Sequence, residues 1–145
     1  MARFQFTPIS RVARILLAGS ALLLAGGAQA LDLTVEVLQA RSTQGQVSAG
    51  LYAGAATWLG TPLQGQRAPA GERTVLVFRD LPAGRYALSV FHDENGNGKL
   101  DRNIVGMPTE PYGFSRDAQG HMGPASFDDA ALDLQADTTV TVHLH

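Results

Sequence analysis

Asp93, Asn95, Asn97 and Asp101 place a short oxygen-bearing side chain at nearly every second position of the stretch FHDENGNGKLDRN, with Gly96 and Gly98 between them. Ca2+ takes six to eight oxygen ligands, and one loop supplies them only by curling round the ion. In such a loop the side chains at positions 1, 3 and 5 converge, a glycine at 6 permits the turn, and position 7 gives its carbonyl. Position 9 then contributes directly or through water, and a bidentate Glu closes the cage at 12. With Asp93 first, Asn95, Asn97, Gly98, the Lys99 carbonyl and Asp101 fill their places, whereas Ile104 stands where the last carboxylate belongs. Glu110 is the nearest acid beyond it and can fold back through the Gly106–Pro108 turn. The plain alternative is a solvated hairpin, because Asn-Gly is itself a strong two-residue turn signal. A bare turn gains nothing from acids at both ends of the ladder, with Glu94 adding to the repulsion; a cation site needs them. The expected cofactor is therefore Ca2+, with Mg2+ disfavoured because it retains its waters.

Other residues suggest chemistry less strongly. His92, Asp93 and Ser115 assemble on paper into a hydrolase triad, but no G-x-S-x-G elbow accompanies them. His92 reads better as a strand-end residue, since imidazole is a poor calcium ligand. His121 lies in an irregular stretch, and His143 and His145 share a face of the last strand without a third ligand in view. Trp58, Tyr112 and Phe114 are either core aromatics or a recognition surface. Tyr112 and Phe114, in a loop, offer the alternative function of a metal-free module reading a glycan or a protein. Asp128, Asp129 and Asp133 read as a solvated surface.

The elements that must position the loop come from the rest of the chain. Residues 1–30 have the order of a secretory signal peptide: Arg3, Arg11 and Arg14 without an acid, then ILLAGSALLLA, then GGAQA. Cleavage after Ala30 leaves Leu31 to His145, one domain, in the periplasm or outside the cell. No cysteine follows the apolar run, and the chain has none at all, so neither a lipoprotein anchor nor a disulfide is available. Three of the 11 basic residues and none of the 13 acidic ones leave with the leader, so the formal charge falls from −2 to about −5. That balance argues against nucleic acid or an anionic membrane surface as partner. No further membrane-spanning segment is expected in the mature chain.

LDLTVEVLQA alternates strictly, GQVSAGLYAG more weakly, and TTVTVHLH again at the end, which is the pattern of half-buried strands. RTVLVFRDL and RYALSVFHD are apolar on both faces, as central strands are, with Pro82 and Gly84 of LPAG at the corner between them. A short strand is expected around Trp58, followed by loop. The residues from Asp93 to Pro124 are rich in Gly and Pro without a period, and so long an irregular segment is usually functional or externally held. No long helical period occurs. The expectation is an all-β, antiparallel β-sandwich, Ig-like or transthyretin-like, with one long Gly/Pro-rich loop.

The segment DLPAGRYALSVFHDENGNGKLDRNIVGMPTEPYGFS, with G-x-V-x-x-x-L-Y at Gly45 to Tyr52, resembles domain of unknown function 2141, a family of small secreted bacterial proteins. The resemblance covers nearly all of Leu31 to His145 and implies no particular activity. F-x-x-L-P-x-G-x-Y, here Phe78 to Tyr86, is similar to transthyretin-like and carboxypeptidase-regulatory-like domains. The D-x-N-x-N-G-x-x-D loop is similar to calcium loops of bacterial adhesin B domains, which carry an acid at the place of Ile104. The Tyr-Arg-Gly-Ser tail of transthyretin-like hydrolases is absent from VTVHLH. The functional expectation is an exported, non-enzymatic structural or binding module whose partner, protein or glycan, is unknown.

Overall fold

A computed structural model describes residues 27–145; the charged and apolar parts of the expected leader lie outside the described residues. The strands are β1 (Leu31–Leu38), β2 (Gln46–Tyr52), β3 (Gln64–Pro69), β4 (Arg73–Leu81), β5 (Gly84–Asp93), β6 (Tyr112–Phe114), β7 (Leu132–Leu134) and β8 (Thr138–His143). A 3-10 turn spans Ser115–Asp117 and a single-turn helix, α1, spans Phe127–Ala130. One sheet has the order β4-β1-β8; the other runs β3-β2-β5-β6, with β7 paired to the start of β5. The fold is an all-β sandwich. No helix among the described residues is long and apolar enough to cross a membrane.

The alternation along β1 accounts for its place. Leu31, Leu33, Val35 and Val37 are buried while the intervening Asp32, Thr34 and Glu36 reach solvent, where Asp32 pairs with Arg79 and Glu36 with Arg73 across the strand pair. Facing this row across the sandwich are Val47, Ala49 and Leu51 of β2 and Leu88 and Val90 of β5. All strand pairs are antiparallel except β1 with β8, which run parallel. The chain crosses to the second sheet and returns before forming β8, so no hairpin constrains its direction.

Three sequence expectations change. The strand expected around Trp58 is instead β3, at Gln64–Pro69, and Trp58 sits in the turn before it. Its place is decided by packing: the indole lies against Tyr52, Phe114 and Phe127, and its Nε1 donates to Ala125 O at 2.8 Å. β4 is an edge strand, not a central one, and Val75 on its outer face is exposed. The stretch from Asp93 to Pro124, expected to be irregular with Tyr112 and Phe114 in a loop, contains β6 and the 3-10 turn, because pairing with Ser89–Phe91 of β5 draws these residues into the sheet. At the Pro82 corner the chain passes from one sheet to the other, and the Tyr86 hydroxyl donates to Pro82 O at 2.7 Å to hold the crossing.

The outward face of β2-β5-β6 is also covered in part. Tyr52, Ala87, Phe114, Ala125, Phe127, Ala130 and Ala131 form a second, smaller apolar cluster, with Trp58 and Tyr112 at its border. β5 is thereby buried on both faces over much of its length, which is why it reads apolar on both.

Candidate metal centre

The last residue of β5 is Asp93, whose side chain is fully buried although it opens a polar loop. Register explains this: Gln46 of β2 is its cross-strand partner, and Gln46 Nε2 donates to Asp93 Oδ2 at 3.0 Å. Gly98 N donates to the same oxygen at 2.9 Å, and Asn97 N to Oδ1 at 3.1 Å. The carboxylate is thus the hub on which the Asn95–Gly98 turn is wound. Burial pushes its pKa up, but the Gln46 amide and the N–H groups of Gly98, Asn97 and Gly96 together outweigh burial and hold it below the ordinary value. Gly45, at φ +68°, is required beside it: a Cβ there would stand 2.1 Å from Asp93 O.

The other ladder residues converge in front of that hub. Asn95 Nδ2 donates to Asp101 Oδ2 at 2.5 Å, and Asn97 Nδ2 donates to Asp101 Oδ1 at 2.7 Å. Each asparagine also bends the backbone on itself: Asn95 Oδ1 accepts Asn97 N, and Asn97 Oδ1 accepts Lys99 N, both at 3.1 Å. Gly96 and Gly98 take positive φ between these bends. Glu110 lies behind the loop, 7% exposed, and its two oxygens receive Glu94 N at 2.9 Å and Asp101 N at 3.0 Å. It buckles the start of the ladder to its end. Ile104 is wholly exposed and turned away from the cluster.

Arg41 braces the loop from the β1–β2 connection. Its guanidinium donates to Thr109 O at 3.3 Å and lies 2.9 Å from the Glu94 carboxylate, a charge contact off the hydrogen-bonding line. His92 holds the same connection from inside the sandwich. Its Nδ1 accepts Arg41 N at 3.2 Å, which assigns the proton to Nε2, and Nε2 donates to Gln44 O at 2.6 Å. The bracing roles of Gln46, Arg41 and His92 were not readable from the loop motif. Only the strand alternation, which puts Gln46 and His92 at defined pairing positions, carried a hint of them.

Chemically, the cluster combines two carboxylates with two amides. Among the described residues no group of three His, Cys, Asp or Glu side chains is arranged to hold a metal, so any cation here depends on amide and main-chain oxygens. That donor set is hard and oxygen-only, as Ca2+ prefers and as Zn2+ or Cu2+ does not.

The remaining candidates separate. Ser115 is fully buried, and its hydroxyl is shared between two backbone groups, accepting Leu88 N at 2.9 Å and donating to Ala130 O at 2.5 Å. It is not brought to an imidazole. Phe114 is 4% exposed in the second cluster, whereas Tyr112 is half-buried and packs its ring on His145. His143 Nδ1 meets Asp117 Oδ2 at 2.7 Å. Asp128 pairs with Arg85, and Asp129 closes the Ser126 cap of α1.

A family described as an uncharacterized protein conserved in bacteria (DUF2141) has a model that matches residues 35–142. No curated protein matches the chain, and no solved structure matches it.

Proposed function

We propose, for a chain that belongs to the DUF2141 family, an exported, non-enzymatic β-sandwich whose Asp93–Glu110 loop binds Ca2+ and is ordered by it. The observation that carries this reading is the meeting of the Asn95 and Asn97 amides on the two oxygens of Asp101, directly in front of the buried Asp93 carboxylate. A half-turn about the terminal torsion of each asparagine exchanges its nitrogen for its oxygen, and such torsions are broad and roughly two-fold; the turn gives up the bonds from Asn97 N and Lys99 N, a cost that the cation contacts must offset. The oxygens of Asn95, Asn97 and Asp101 then face one another, Asp93 joins them through a lone pair left over from its three protein donors, and the Lys99 carbonyl is the next donor along the loop. Glu110 supports the site by fixing both ends of the loop, and it becomes a direct ligand only by releasing one of its two N–H partners. With few carboxylates and a glycine-rich frame, the affinity expected is in the extracellular range, a Kd of roughly 0.1–1 mM.

Native mass spectrometry of the purified protein, with and without chelator, tests the reading: a mass increment of one Ca2+ that Asp93→Ala removes supports it, and no increment at millimolar Ca2+ sinks it. Export is tested separately. Expressed with its own N-terminus, the chain should be recovered outside the cytoplasm beginning at Leu31; full-length protein held in the inner membrane would contradict this. Recognition through Tyr112 and Phe114 is the weaker reading, because Phe114 spends its ring on Trp58 and leaves Tyr112 alone at the surface.

A further inference from the structure

The register of the second sheet lays out its outward face in rows. Arg67, Ser48, Phe91 and Tyr112 are cross-strand partners in one row; Gly65, Gly50, Ser89 and Phe114 are partners in the next. Two adjacent glycines leave the second row low. The Tyr52 ring folds back over this floor, for a Cβ on Gly50 would come within 3.1 Å of the Tyr52 hydroxyl. A trough of about 180 Å³ results, with Pro62 and, from the oxygen-rich loop, Gly98 also on its walls.

Its lining is unusual in what it leaves unpaired. Ser48 is 7% exposed, and its hydroxyl has no hydrogen-bond partner. Interiors rarely tolerate this, and Ser115, in the 3-10 turn bonded to the same sheet through Leu88, shows the usual outcome, a hydroxyl satisfied twice. Arg67 stands beside Ser48, exposed, and takes part in none of the ion pairs among the described residues, although Arg73, Arg79 and Arg85 each meet a carboxylate. Burial raises the Tyr52 pKa, so the phenol keeps its proton and stays a donor. No carboxylate lines the trough. Three hydroxyls, one guanidinium that only donates, and the half-buried ring of Phe91 therefore call for a ligand rich in acceptors, with negative charge and an apolar face. The volume lies below the range of about 300–1,000 Å³ of drug-sized sites, which limits the occupant to a single small ring.

We propose that this trough binds a sugar acid, a hydroxylated ring bearing a carboxylate, with Arg67 on the carboxylate, Ser48 and Ser89 on ring hydroxyls, and Phe91 against the C–H face. Arg67 is drawn outward by the carboxylate, and this opens the way to the Ser48 hydroxyl it flanks. The trough shares one wall residue, Gly98, with the proposed cation loop, so its test is run both in chelator and in millimolar Ca2+.

Backbone amide resonances of the purified full chain are followed while sodium D-glucuronate is added, with D-glucose and sodium acetate in parallel. Saturable shifts at Ser48, Gly50, Gly65 and Ser89 are expected with glucuronate, and binding about tenfold weaker or worse with glucose and acetate. Arg67→Gln should weaken glucuronate about tenfold and leave glucose unchanged. Ser48→Ala should weaken glucuronate without lowering the melting temperature, since that hydroxyl holds no partner in the fold; Arg73→Gln should do neither. Absence of saturable shifts at these amides overturns the proposal. So does acetate binding as tightly as glucuronate, or an Arg67→Gln variant that binds glucuronate as the wild type does.

Discussion

Asp93→Ala is the substitution on which the account of the loop turns, because one buried carboxylate both winds the Asn95–Gly98 turn and heads the proposed ligand set. The side chain accepts from Gln46 Nε2, Asn97 N and Gly98 N at 3.0, 3.1 and 2.9 Å. Hydrogen bonds to a charged group are worth roughly 1.5–3 kcal/mol each when removed. The three do not sum, since Asn97 N and Gly98 N lie in an exposed turn where water replaces the lost acceptor. A net loss of about 2–3 kcal/mol in chelator follows, which for a domain of this size lowers Tm by about 6–18 °C. The proposed Ca2+ binding predicts a separate increment. At about 1 mM free Ca2+ and a Kd near 0.1 mM, mass action stabilises the wild type by about 1.4 kcal/mol, on the order of 4–8 °C. Differential scanning calorimetry of both proteins, in chelator and in millimolar Ca2+, resolves the two effects. The variant should melt lower in chelator and gain nothing from Ca2+. A variant within about 0.5 kcal/mol of wild type in chelator would refute the structural role. One that keeps the Ca2+ increment would refute the ligand role, and equal Tm of the wild type in both buffers would return the ladder to a plain turn.

Other perturbations follow from the same contacts. Because the folded pKa of Asp93 is depressed, its contribution is complete above the ordinary carboxylate pKa, near 4, and is lost as pH falls through the folded value. Acid unfolding of Asp93→Asn should therefore show a shallower loss of stability in that window than wild type, and parallel curves would contradict the assignment. Gly45→Ala should cost more than about 2 kcal/mol, combining a positive φ with a Cβ driven into Asp93 O; a urea midpoint close to wild type would show that the connection gives way freely. Trp58→Ala should cost about 2–4 kcal/mol by emptying the border of the second cluster and orphaning Ala125 O, while leaving the Ca2+ increment intact. A lost increment would mean that the two ends of the sheet are coupled.

The ladder of oxygens, the sandwich and the strands β1, β2, β5 and β8 were legible in the sequence because each rests on local information. Alternation at period two states which side of a strand is buried, and short oxygen-bearing side chains interleaved with glycine state that a loop can coil. Tertiary structure decided everything that depends on which strand lies beside which. The apolar run RTVLVFRDL does not reveal that it borders a sheet, since an edge strand and a central one differ in partners and not in composition. Nothing around Trp58 announces that packing on Tyr52 and Phe127 holds it in a turn and leaves the pairing to Gln64–Pro69. That Glu110 can fold back to the loop was readable from its position, but only the tertiary structure shows its two oxygens on Glu94 N and Asp101 N, at the two ends of the ladder. The unpaired hydroxyl of Ser48 beside Arg67 is likewise invisible until register aligns them. Sequence periodicity encodes the direction of a side chain, whereas its neighbours are set by long-range pairing, and a site is made of neighbours.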